Sequence, residues 1–155
     1  MVGDDNFNKI DFTGIDYSKS AIEFAKSRFT KGNVEFFIHN INRIKELNLG
    51  RFDTLISIGT MQSSSINYKV VLMELVQEHL ENNSAIILGF PNSRWIGGEL
   101  IYGAEVKNYN FSEMGLLYND VVFAKKYLQQ KKYRVTITGK DYVFLTATKI
   151  RSALV

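Results

Sequence analysis

What most constrains this chain is a pair of near-continuous apolar runs, Phe52-Asp53-Thr54-Leu55-Ile56-Ser57-Ile58 and Ser84-Ala85-Ile86-Ile87-Leu88-Gly89-Phe90. Each has strand length, and runs of this kind suit a parallel sheet covered on both faces. Between them lie a serine-rich loop, Thr60 to Asn67, and a stretch that places Val71, Leu72, Leu75, Val76 and His79 on one helical face. Asn82-Asn83 is expected to end that helix. Strand, helix and strand in this order call for a right-handed crossover and parallel neighbours.

The N-terminal part repeats the scheme. Phe12-Thr13-Gly14-Ile15-Asp16 reads as a short strand ending in a carboxylate, Tyr17-Ser18 as a turn, and Lys19 onward as an amphipathic helix. That helix is expected to carry Ile22, Ala25 and Phe29 on its buried face and to stop at Lys31-Gly32-Asn33. Val34 to His39 is rich in strand formers and closes at Asn40, and a partly helical connection, Ile44 to Leu49, follows. An acid at the carboxyl end of a strand in an open α/β sheet lies where such sheets hold ligands. Its two oxygens suit a vicinal diol, since each can accept from one ribose hydroxyl. The alternative is that Asp16 only caps the next helix, with Ser18 competing for that task. These residues leave both readings open.

Pro91, the only proline, is expected to cut off the strand before it. Asn92 to Gly115 then breaks the rhythm, and a connection of that length reads as a functional loop or lid. Leu117, Val121, Ala124 and Leu128 trace a last helix. Tyr133 to Thr138 and Tyr142 to Lys149 flank Gly139-Lys140-Asp141, a three-residue link that predicts a hairpin and an antiparallel finish. At 155 residues a single domain, 1–155, is expected.

Composition narrows the chemistry. With no cysteine there is no thiolate nucleophile, disulfide or cysteine-held metal. No run approaches the length of a membrane span, and Met1 to Lys9 lacks the apolar centre of a secretory signal, so cytoplasm is the expected setting. The net charge is +3. Lys125, Lys126, Lys131, Lys132 and Arg134 cluster near one helix end, where cations complement the macrodipole; a nucleic-acid footprint is the competing reading.

A parallel α/β sheet that ends in an antiparallel hairpin resembles the class I S-adenosylmethionine-dependent methyltransferases, over Phe12 to Ile150. Thr13-Gly14-Ile15-Asp16-Tyr17-Ser18 is similar to that family's second motif, whose acid holds the cofactor ribose. Asn33-Val34-Glu35-Phe36 through Asn40-Ile41 is similar to the third, where an acid commonly reads the adenine amino group; Asn40 stands there, and an amide oxygen can still accept. Phe52 to Ser57 with Ile58-Gly59-Thr60-Met61 resembles the fourth, which lines the cofactor and opens towards substrate. The resemblance implies a Rossmann-like, mostly parallel sheet with helices on both faces. It implies S-adenosylmethionine as cofactor, held by Asp16, Tyr17, Ser18, Asn40, Ile41, Ile58, Gly59 and Thr60.

One departure is large. The family's first motif, a strand and a glycine-rich turn, should precede Asp16 by some tens of residues, and Met1 to Asp11 holds one glycine, Gly3. The first strand and helix are thus expected to be missing, as in an N-terminally truncated domain. That strand is central in the family's sheet. The strands ending at Asp16 and Ile58 are therefore expected to close up or to be completed by a partner, and unpaired edges would favour a homo-oligomer.

The implied activity is methyl transfer to a small-molecule or RNA acceptor, the small molecule preferred, with no catalytic residue assigned. The cofactor carries the reactivity and the protein aligns and excludes water, so no acid–base dyad is required. Lack of cysteine excludes the covalent route to pyrimidine carbon-5. Gly59-Thr60-Met61-Gln62 is unlike the Asn/Asp-Pro-Pro-aromatic box of base amino-methylation. A non-catalytic domain of the same fold is the main alternative, and a nicotinamide dehydrogenase is disfavoured by the final hairpin. His39 is either a proton shuttle or a satisfied structural histidine. Arg94 and Trp95 either cover a substrate or pack as surface loop. His79 is given no role.

Overall fold

The computed structural model describes residues 9–30, 32–63, 65–91, 93–96, 99–102, 114–139 and 142–150. It divides into two compact units, Met1–Asn48 and Leu49–Val155. In the first, β1 (Phe12–Asp16) leads into α1 (Lys19–Arg28), and β2 (Val34–Ile38) returns parallel to β1 in register from Phe12 opposite Val34 to Asp16 opposite Ile38. A 3-10 helix, Ile41–Leu47, follows directly. The helix α1 ends at Arg28, earlier than Lys31-Gly32-Asn33, and Phe29 is its extended C-cap rather than a member of the buried stripe. Phe29 is half exposed, its ring 6.2 Å from that of Phe36, while Ile22 carries the buried face.

The second unit is built on a four-stranded sheet in the order β3-β4-β8-β7. β3 (Phe52–Ile58) pairs parallel to β4 (Leu80–Pro91), with α2 (Tyr68–Glu78) as the crossover between them. β4 pairs antiparallel to β8 (Tyr142–Lys149), and β8 to β7 (Tyr133–Gly139). α3 (Met114–Gln130) precedes β7. The expected terminal hairpin is therefore present. Gly139 makes its corner at φ +103°, where a side chain would run into the Tyr142 carbonyl. Lys140 and Asp141 lie outside the described residues.

Alternation along the strands sends Ile86, Leu88 and Phe90 of β4 and Val143, Leu145 and Ala147 of β8 to one face. Leu72, Leu75 and Val76 of α2 and Val121, Ala124 and Leu128 of α3 are buried with them. Burying the valine, leucine, isoleucine and phenylalanine side chains among them stabilises by about 1.5–3 kcal/mol each. Ile56 and Ile58 of β3 point the other way and are 60% and 49% exposed. Inside the core, Ser84 Oγ and Tyr133 Oη share a hydrogen bond of 2.6 Å that reaches past β8 from β4 to β7.

Other expectations need correcting. Asn82-Asn83 does not end the second helix: α2 stops at Glu78, and the strand starts at Leu80, which pairs with Phe52 before a register shift to Thr54 opposite Ala85. The shift lets Glu81 to Asn83, all exposed, ride in the strand as a bulge. Pro91 does end β4, as its last paired residue, opposite Tyr142. Within the stretch expected to be an irregular loop, β5 (Ser93–Ile96) and β6 (Glu99–Tyr102) form an antiparallel hairpin. As for the two strands expected to close up or to be completed by a partner, β1 belongs to the two-stranded sheet of the first unit and β3 to the four-stranded sheet of the second. No strand precedes β1 among the described residues.

Candidate functional site

Two strand-end rims carry the candidate residues, one in each unit. On the first, pairing of Asp16 with Ile38 brings the ends of β1 and β2 level. The His39 N–H donates to the Asp16 carbonyl at 3.0 Å and adds one more rung. Asp16 and Asn40 therefore lie at the same edge of this sheet. Ser18 is the N-cap of α1, its side chain accepting from the Ala21 N–H at 3.3 Å. The cap thus falls to Ser18, and Asp16 Oδ1 accepts instead from the Ser18 N–H at 2.7 Å. That bond aims the carboxylate and leaves its second oxygen without a protein partner among the described residues. Tyr17 is 80% exposed beside it.

Asn40 caps the 3-10 helix, Oδ1 accepting from the Asn42 N–H at 3.0 Å. The N–H of Ile41, first in that helix, has no intrahelical acceptor. The rim thus presents, among the described residues, an open carboxylate oxygen, an amide with spare hydrogen-bonding capacity and a backbone donor that the helix itself does not use. A diol and a heterocycle edge need that set, so the residues present fit the adenosine half of S-adenosylmethionine. His39 is engaged locally: with Nε2 as the protonated nitrogen it donates to the Arg43 carbonyl at 2.9 Å, and the Glu46 carboxylate lies 3.7 Å away. Arg43 in turn pairs with Glu46 at 2.6 Å. The imidazole holds the 3-10 helix against the strand end.

On the second rim, the Gly59 N–H donates to the Gly89 carbonyl at 3.0 Å, and the chain turns through φ +68° at Gly59. Only glycine takes that conformation readily. Ile58 and Thr60 stay exposed, and the Thr60 carbonyl accepts from the Ser63 N–H at 3.2 Å. The turn drives the next two side chains inward, so Met61 is 2% and Gln62 6% exposed. They line a cleft of about 320 Å3 with Ile66, Asn67, Tyr68, Lys69 and Asp120. Burial raises the pKa of Asp120, and Lys69 moderates the rise. Tyr68 is raised by burial first and by the Asp120 charge second. Gln62 and Asp120 were not legible as site residues: a glutamine in a serine-rich loop carries no periodicity, and packing alone buries it. Arg94 and Trp95 lie on β5, and their side chains fall outside what the structure describes.

His79 is 8% exposed and its Nδ1 bonds the Gly50 carbonyl at 3.0 Å, a structural place at the end of α2. Among the described residues no group of three or more acids and histidines is gathered to hold a metal. No described helix is long and apolar enough to cross a membrane.

Residues 4–141 match a family described as a methyltransferase domain. No curated protein matches the chain by sequence at a significant level. Among solved structures, a candidate rRNA methylase from Clostridium thermocellum is similar at 14% identity and TM-score 0.60, over 92% of this chain and 74% of that one. The N-methyltransferase NodS from Bradyrhizobium japonicum, in complex with S-adenosylhomocysteine, is similar at 13% identity and TM-score 0.58, over 91% and 67%. A 1,6-didemethyltoxoflavin N1-methyltransferase from Burkholderia thailandensis, with 1,6-didemethyltoxoflavin and S-adenosylhomocysteine bound, is similar at 16% identity and TM-score 0.55, over 90% and 61%. Identities this low speak to the fold.

Proposed function

Because the chain belongs to the methyltransferase-domain family, we propose that it transfers the methyl group of S-adenosylmethionine to a small-molecule acceptor, with an RNA acceptor as the second choice. The observation that carries the cofactor assignment is Asp16, fixed by the Ser18 N–H through one oxygen and open through the other at a strand-end rim. In this reading Asp16 accepts from the ribose hydroxyls, Tyr17 and Ser18 flank the sugar, and Asn40 with the Ile41 N–H meets the adenine edge. Ile58, Gly59 and Thr60 are assigned to lining the cofactor on the strength of the sequence resemblance.

When bound, S-adenosylmethionine supplies the electrophilic methyl; the chain's part is to bind, orient and keep water out. No side chain is assigned as a base. A cytoplasmic setting belongs to the same reading. The alternative is a non-catalytic, methyltransferase-like domain that serves as a partner subunit.

Calorimetric titration with S-adenosylmethionine and S-adenosylhomocysteine separates the two. The wild-type chain is expected to bind both, and Asp16→Ala to weaken binding about 10- to 100-fold, since hydrogen bonds to a charged group contribute about 1.5–3 kcal/mol. No heat at about 1 mM ligand, a concentration that saturates any micromolar site, would favour the non-catalytic domain.

A further inference from the structure

The cleft beside the second rim contains a buried acceptor with nothing to accept from. Gln62 is 6% exposed, and its Oε1 has no hydrogen-bond partner among the described residues. Buried amide oxygens are nearly always satisfied, so an unpaired one that lines a cleft marks the place of a missing donor. The other walls state what kind of donor. Met61 and Ile66 supply apolar surface, and Asp120 offers a carboxylate. Lys69, close enough to act on the Asp120 charge, also sets its ammonium 5.4 Å from the Phe123 ring centre. One acid and one base leave the cleft near neutral, which favours an uncharged ligand over a cation or an anion. A volume of about 320 Å3 lies at the small end for ligand pockets, enough for one or two rings.

We propose that this cleft is a binding site for a small, neutral, ring-bearing molecule with an amide or amino N–H, which donates to Gln62 Oε1 and to the Asp120 carboxylate while its ring lies on Met61 and Ile66. That this molecule is the methyl acceptor rests on the methyl-transfer reading above; that it binds does not. Tyr68 holds the cleft open from behind: its ring packs edge-on to Phe90 and Phe123, and its hydroxyl donates to the Asp120 backbone carbonyl at 3.4 Å. The acid therefore sits on a fixed turn of α3.

The test uses the full chain without cofactor, with benzamide as probe and N,N-dimethylbenzamide as the same skeleton stripped of its donors. Saturation-transfer NMR and calorimetry should show benzamide binding in the millimolar range and the dimethyl compound binding at least tenfold more weakly. Gln62→Leu should lose the preference for benzamide and at the same time raise the melting temperature, because it removes an unpaired buried acceptor. Asp120→Asn should keep the fold and reduce benzamide affinity several-fold. Equal binding of the two probes, no benzamide binding at about 10 mM, or a lower melting temperature for Gln62→Leu would each overturn the proposal. Because cofactor is absent throughout, these outcomes are independent of the S-adenosylmethionine titration.

Discussion

β1 and β2 run parallel in register with α1 packed against them, and β3 and β4 run parallel with α2 as their crossover. The two pairs share a plan and differ in what holds them. Among the described residues from Lys9 to Asn48, only Ile22 and Ile44 are buried apolar side chains, and Phe12, Phe24, Phe29 and Ile38 are exposed. The second unit buries whole rows of both α2 and α3 against β4 and β8. The first rim is therefore fixed by hydrogen bonds: the Ser18 cap, the Asp16 turn, the Asn40 cap and the His39 brace. The second is fixed by packing, which pulls Met61 and Gln62 inside. Placing ligand-facing groups needs only local bonding, whereas resisting unfolding needs area removed from water.

The largest expected contrast comes from truncating one side chain in each pair's neighbourhood. Leu145→Ala, at a position with no exposure, should cost about 2–5 kcal/mol in urea unfolding. Ile38→Ala, 49% exposed, should cost about 1 kcal/mol or less. Equal costs would erase the distinction between the units. Next in size, Gly139→Ala forces a side chain into positive φ and against the Tyr142 carbonyl, so it should cost about 1–3 kcal/mol by the same assay. Ser18→Ala removes the α1 cap and should cost about 1 kcal/mol, visible as faster hydrogen exchange confined to the first unit.

The smallest effect is electrostatic. Burial raises the Asp120 pKa above its unfolded value, so its contribution to stability is full below the ordinary carboxylate value and is lost as pH rises through the folded one. Asp120→Asn should therefore gain on the wild type by about a degree or two of melting temperature between pH 4 and pH 8. A difference that runs the opposite way would show that Lys69 outweighs burial.

Much of this architecture was legible in the residues. Apolar runs at 52–58 and 84–90, the helical stripe from Val71 to Val76 and the glycine corner at 139 each map onto an observed element. Side-chain polarity misled where the backbone alone decides. Glu81, Asn82 and Asn83 look like a helix stop, yet a bulge accommodates them because their side chains face solvent. The β5–β6 hairpin was hidden in the sequence by the lack of alternation along its strands. Asp16 could be assigned to a strand end from sequence, but which of Asp16 and Ser18 caps α1 depends on local geometry that composition does not encode. Gln62 is the extreme case: nothing short of three-dimensional packing marks it.

The hydroxyl pair Ser84–Tyr133 has a use beyond holding strands together. Tyr133 is 2% exposed, with its ring under the Lys149 ammonium at 4.4 Å, so nitrating or iodinating reagents reach the phenol only when β7 lifts away. The rate of its modification, read by peptide mapping, is thus an intrinsic clock for breathing at that border of the sheet. A ligand or partner that quiets this motion would announce itself as a slower clock, with no label added to the chain.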